Sequence, residues 1–181
     1  MTKLLPIGIT ALVLGSATTP LEAAGPHSHG VAKLDVAVDG PTLTLQLQSP
    51  LESVLGFERA PRNEAERGQV RAMAQALRAG NLFVPTAAAR CALQRVDLSS
   101  QVLPPELLGQ SGPAAGGSAP DDHADLDGTF VYRCENPQAL AGIDVMMFDY
   151  FKKLARVDAQ VAGPKGQSAA KLTARSRQIR W

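Results

Sequence analysis

HSHGVAKLDVAVDGPTLTLQLQSPLESVLGFERAPRNEAER, residues 27 to 67, decides the fold. It opens on a His-Ser-His-Gly tip, runs through two alternating apolar segments and ends at the start of a helix. Ala32, Leu34, Val36 and Val38 fall on one side of the first segment, and Lys33, Asp35, Ala37 and Asp39 on the other. In the second segment Leu43, Leu45 and Leu47 oppose Thr44, Gln46 and Gln48. A period of two is the pattern of a half-buried strand. Asp39-Gly40 between the segments reads as a hairpin turn, because Gly takes a positive φ at no steric cost. Placing Val38 opposite Pro41 pairs Val36 with Leu43, Leu34 with Leu45 and Ala32 with Leu47, which puts the apolar residues on one face. A slip by one residue would expose half of them. Pro41 has no N–H for the ladder, so an open turn or an edge position is expected there.

Downstream, Ser49-Pro50 breaks the strand and Leu51 to Phe57 reads as a turn or a single helical turn. Asn63 is a helix N-cap with Glu66 as its capping-box partner. The helix is expected over about Glu64 to Ala79, with Val70, Met73, Ala74 and Leu77 as its apolar stripe and Gly80 as its stop. Leu82 to Pro85 is a short apolar segment. Cys91 to Leu98 alternates with a local irregularity and reads as a strand. From Leu103 to Asp127 the chain turns rich in Pro, Gly, Ala and Ser, the composition of a flexible loop. Gly128 to Cys134 is a strand, and Asn136-Pro137 an N-cap followed by Pro. Leu140 to Leu154 fits a helix or a strand. Strands follow at Val157 to Val161 and Ala169 to Thr173, with a further one in the tail from Arg175 to Trp181. The sum is an α+β domain: an antiparallel sheet of about five to six strands covered by one or two helices, with a long Gly/Pro/Ala-rich loop near residues 103–127.

Upstream, Lys3, the apolar run Leu4 to Leu14 and the small residues around Ala23-Ala24-Gly25 match a secretory signal peptide over residues 1–24. The apolar run is short for a membrane span, although an uncleaved anchor is the alternative. Residues 25–181 then form one domain, expected in the periplasm. A net charge of +1 gives no electrostatic case for nucleic acid or an anionic membrane. Gly-rich phosphate loops, GxSxG, HExxH and CxxC are all missing from the sequence, and no enzyme is expected. In an oxidising compartment the two cysteines, Cys91 and Cys134, are expected to pair. Thiolate metal ligation is the alternative, but neither has a second Cys at ligand spacing.

The three histidines are His27, His29 and His123, none on an apolar face. His27 and His29 stand two apart before a strand, where both imidazoles can aim at one ion. His123 lies among Asp121, Asp122, Asp125 and Asp127. Zinc accepts His nitrogen and Asp oxygen in four-coordinate sites. His27, His29, His123 and one of Asp121, Asp122 or Asp125 would complete such a set if the loop returns to the tip. The alternative is that these are solvated residues on a terminus and a loop. Glu52 or Glu58 would serve as a base in a hydrolytic reading, which lacks any recognisable catalytic spacing.

HSHGVAKLDVAVDG, SPLESVLGFERAPRNEAE, GTFVYRCENPQAL and GPKGQSAAKL together resemble the ZrgA-like family of bacterial periplasmic zinc-binding proteins, often carried as a domain of unknown function. The likeness spans nearly all of the region after residue 24. It implies zinc binding in zinc acquisition or buffering, alongside an importer. His27 and His29 match the family's N-terminal HxHG, His123 the last part of its central loop, and Cys91 and Cys134 its cysteine pair. Many relatives crowd that loop with His, Asp and Glu, whereas Gly109 to Pro120 here holds no His. At most one compact site is therefore expected. The thinned loop also motivates a second reading, a metal-free envelope protein-interaction module that uses the loop and the LESVLGFERAP segment.

Overall fold

The structure is a computed structural model that describes residues 29–110 and 124–181. The expected signal peptide and most of the Gly/Pro/Ala-rich loop lie outside the described residues. A six-stranded sheet carries the fold, in the order β4-β5-β2-β1-β7-β8. Its strands are β1 (Val31–Asp39), β2 (Thr42–Pro50), β4 (Cys91–Ser99), β5 (Asp125–Cys134), β7 (Arg156–Gly163) and β8 (Gly166–Leu172). A three-stranded sheet joins β3 (Phe83–Pro85), β6 (Gly142–Val145) and β9 (Gln178–Arg180). Helices α1 (Leu51–Leu55), α2 (Glu64–Arg78) and α3 (Met147–Tyr150) complete the described elements, with short 3₁₀ turns between them.

The hairpin forms as a pair, but its register is two residues away from the expected one. Val38 faces Leu43, Val36 faces Leu45 and Leu34 faces Leu47. Gly40 and Pro41 make the turn together, Gly40 at φ 53°. Proline has no N–H to give to the ladder, so it is excluded from the paired positions and takes a corner of the turn. Its carbonyl is still used, accepting from the Cys134 N–H at 2.8 Å. A shift of two residues keeps each side chain on its face, which is why Ala32, Leu34, Val36, Leu43, Leu45 and Leu47 are all buried.

The sheet is mixed, not purely antiparallel as expected. β1 pairs with β7 in parallel, Leu34 beside Ala159 and Val36 beside Val161. Alternation gives the face of a strand and not its direction. Direction is set by the connection, and here most of the domain separates β1 from β7. The buried face takes Phe130, Tyr132 and Cys134 from β5 and Val157, Ala159 and Val161 from β7. Val70, Met73, Ala74 and Leu77 of α2 join the same core. Asn63 caps this helix as expected, its side chain accepting from the Glu66 N–H at 2.9 Å. At the other end Arg78 donates to the carbonyls of Val96 at 2.7 Å and Leu108 at 2.8 Å. The two sheets meet where Phe83 packs edge-on against Phe130, centroids 4.9 Å apart. There the Tyr132 hydroxyl donates to the Phe83 carbonyl at 3.1 Å, and burial pushes the phenol up to about 12.

Two further expectations change, and the cysteine pairing holds. The flanks of the expected 103–127 loop are regular structure: Pro105–Leu108 is a 3₁₀ turn with Leu107 and Leu108 buried, and β5 already begins at Asp125. Leu140 to Leu154 is neither one helix nor one strand but β6 followed by α3. Gly142 sits where a Cβ would lie 2.1 Å from the Ile179 carbonyl oxygen, so strand β9 runs directly over it. Cys91 and Cys134 are disulfide-bonded, and they face each other across β4 and β5.

Candidate metal centre

The mixed topology gathers several strand ends at one end of the large sheet. β1 starts there, β2 ends there, and β5 and β7 start there. His29 is the residue but one before β1. Gly30 fixes it from both sides. The Gly30 N–H donates to the Oγ of Ser53, a buried residue of α1, at 3.1 Å. The Gly30 carbonyl accepts from Ala155 and Arg156, at 2.8 and 3.0 Å. The imidazole is thus tied by its backbone to α1 and to the start of β7, while its ring is 63% exposed.

Glu52 and Glu58 meet it. Nδ1 of His29 is 2.5 Å from Oε2 of Glu52 and 3.6 Å from Oε1 of Glu58. Each of the three offers one ligand atom within 4.8 Å of the other two. Continuing the observed hairpin register four residues beyond Lys33 and Gln48 brings position 29 opposite position 52. Glu58 arrives by a different device. Helix α1 stops at Gly56, which has φ 88° and donates its N–H to the Glu52 carbonyl at 2.9 Å. The chain then turns through Phe57 to Arg62. Arg59 lies over the Phe57 ring, 5.0 Å from its centroid, and makes paired bonds to Glu66 at 2.7 and 2.8 Å. Glu66 also accepts from the Arg62 N–H at 2.6 Å. These contacts, Arg59 first, hold the Glu66 carboxyl down at about 2. Glu58 is therefore carried on a pinned turn.

Lys153, just before β7, donates to Oε1 of Glu52 at 3.2 Å. That bond is the main cause holding the Glu52 carboxyl below the usual carboxylate range, with the His29 ring assisting. One carboxylate thus serves two partners, Lys153 through one oxygen and His29 through the other.

Donor chemistry and spacing both suit a divalent ion. Zinc binds His nitrogen and carboxylate oxygen at about 2.0–2.2 Å, so two donors of a tetrahedral site stand about 3.4 Å apart. The His29 to Glu58 distance already matches. The His29 to Glu52 distance is that of a hydrogen bond, and an ion entering between them would open it by about 1 Å. Three protein donors leave a fourth position open.

Of the expected ligands, His29 is placed in this group. His27, Asp121, Asp122 and His123 lie outside the described residues. Asp125 starts β5 at the same end of the sheet, opposite Pro50, but is not one of the three gathered around His29. Next to it the Leu51 N–H donates to the Ala124 carbonyl at 2.9 Å. Asp127, two residues on, has its carboxyl pushed up by burial and then by the charge of Asp125. Glu52 and Glu58 entered the sequence reading only as bases. The signal for them as ligands is the hairpin itself, which must bring the residues just after β2 back to those just before β1.

Fold and site together define a β-rich scaffold that presents an imidazole and two carboxylates at one end of an open sheet. The chain belongs to the ZrgA family: the family model described as ZrgA family zinc uptake protein matches residues 26–181. Comparison with the curated proteins found no match.

Proposed function

We propose that the protein binds a zinc ion through His29, Glu52 and Glu58 in the periplasm and holds it for uptake by an importer. The observation that carries this reading is the convergence of Nδ1 of His29 with two carboxylates from separate segments. Membership of a zinc uptake family supplies the ion. The signal-like segment at residues 1–24 and the Cys91–Cys134 disulfide support an oxidising compartment outside the cytoplasm. Binding is favoured over hydrolysis, because both carboxylates are committed to the imidazole and to one ion. His27, His123, Asp121, Asp122 and Asp125 stay in the proposal as donors for the fourth position.

Calorimetric titration of the purified protein with zinc tests this, beside His29→Ala, Glu52→Gln and Glu58→Gln. About one ion per chain is expected, with binding abolished by His29→Ala and weakened at least tenfold by either glutamine. His27→Ala and His123→Ala report whether either supplies the open position. Copper and nickel belong in the same series, since raw affinity at such donors follows copper above zinc. Undiminished binding in all three core variants would remove this site. No binding of any metal by the parent would favour the protein-interaction module.

A further inference from the structure

Lys153 is delivered to the metal group by two glycines. Its carbonyl oxygen lies 3.1 Å from where a Cβ on Gly30 would stand, so the residue backs directly onto the neighbour of His29. Its side chain crosses Gly56, with Nζ and Cε 3.4 and 3.5 Å from the place of a Cβ there. A side chain at Gly56 would crowd this path, and φ 88° independently favours glycine at that position. The ammonium ends on Glu52, on the oxygen that does not face His29. Arg59, next to Glu58 in the chain, is instead engaged by Glu66. An ion between Nδ1 of His29 and Oε2 of Glu52 would thus share its carboxylate with the Lys153 ammonium.

We infer that Lys153 weakens zinc binding at His29, Glu52 and Glu58 and speeds the ion's release. This rests on the zinc reading of that group. An ion held for transfer has to leave, and a site of three charged or basic donors without Lys153 would retain it longer. The ammonium repels a divalent ion and competes for one of its ligands. At a partly exposed position the effect is moderate and screened by salt.

The test is a zinc competition titration against a chromophoric chelator, with stopped-flow transfer to that chelator, on the parent, Lys153→Met, Lys153→Gln and Lys153→Arg. Removing the charge is expected to tighten binding about tenfold and slow release in proportion, with the gain shrinking as salt rises. Lys153→Arg is expected to stay near the parent. If Lys153 served only to orient Glu52, Lys153→Met would bind more weakly, which is the opposite sign. Equal or weaker binding in both neutral variants overturns the inference while leaving the site intact, provided His29→Ala still abolishes binding. Parent-like binding in His29→Ala would overturn the site reading and this inference with it. Lys153 is 57% exposed, so the neutral variants are expected to fold, and their melting curves check it.

Discussion

At the scale of single residues, the placing of His29 opposite Glu52 hangs on two residues of register. With Val38 opposite Pro41, position 29 would face Pro50, which offers no ligand. With Val38 opposite Leu43 the same count reaches Glu52, the second residue of α1. Both registers bury the same side chains, so hydrophobic pattern alone does not separate them, and the missing N–H of Pro41 does. The histidine was legible as a candidate ligand from its setting. The two glutamates were not, because SPLESVLGFE has no ligand spacing until the hairpin folds it against the tip. Glu58 depends in turn on Glu66, seven residues from Arg59 and bonded to both Arg59 and Arg62. Glu66→Gln is expected to loosen the Phe57 to Arg62 turn and lower zinc affinity about tenfold or more, as outer-shell changes do at metal sites, measured by the same titration. It should also change the acid limb of stability. The folded Glu66 carboxyl is held at about 2 against an ordinary 4.5. Its contribution is therefore full above about pH 4.5 and lost as pH falls from there towards 2. Melting curves between pH 5 and 2.5 should fall less steeply for Glu66→Gln than for the parent, and parallel slopes would show that the network contributes nothing.

At the scale of elements, α2 was readable almost to the residue, because cap, stripe and stop agree: Asn63, the Val70 to Leu77 stripe and Gly80. Asn63→Ala should cost about 1 kcal/mol in a denaturant melt, since it removes the acceptor for the Glu66 N–H. The segment from Leu140 to Leu154 was not readable. Its apolar residues fit both periods because it contains both elements, β6 over Gly142–Val145 and α3 over Met147–Tyr150. Gly142 is a crossing point, where the Ile179 carbonyl oxygen comes within 2.1 Å of a would-be Cβ. Gly142→Ala must push β9 away from β6. It is expected to destabilise by about 1–3 kcal/mol, the usual range for overpacking. The loss should appear first as faster amide exchange at Ile143 and Ile179, whose strands pair there, and unchanged exchange would mean that β9 shifts freely.

At the scale of the molecule, the disulfide and the candidate metal group lie towards opposite ends of the large sheet, Cys134 closing β5 at one end and Asp125 opening it at the other. The pairing was legible from the cysteine count and the compartment. The parallel partner of β1 was not, because no local feature reports which of two distant strands will lie beside it. Yet that choice shapes the candidate site, since it brings Ala155 and Arg156 onto Gly30 and Lys153 onto Glu52. Two constraints at opposite ends should act independently. The disulfide spans 43 residues, and its removal in Cys91→Ser/Cys134→Ser is expected to cost about 3–4 kcal/mol. Zinc at about a hundred times its dissociation constant should add about 2.7 kcal/mol, or about 5–10 °C in melting temperature for a domain of this size. Distant sites without shared partners add to within about 0.5 kcal/mol. The zinc-induced shift measured in the double serine variant should therefore match that in the parent at the same saturation. A shift that vanishes with the disulfide would mean that the cysteine end and the candidate metal end form one cooperative unit through the sheet, and that the affinity of the site is set by the whole sheet rather than by His29, Glu52 and Glu58 alone.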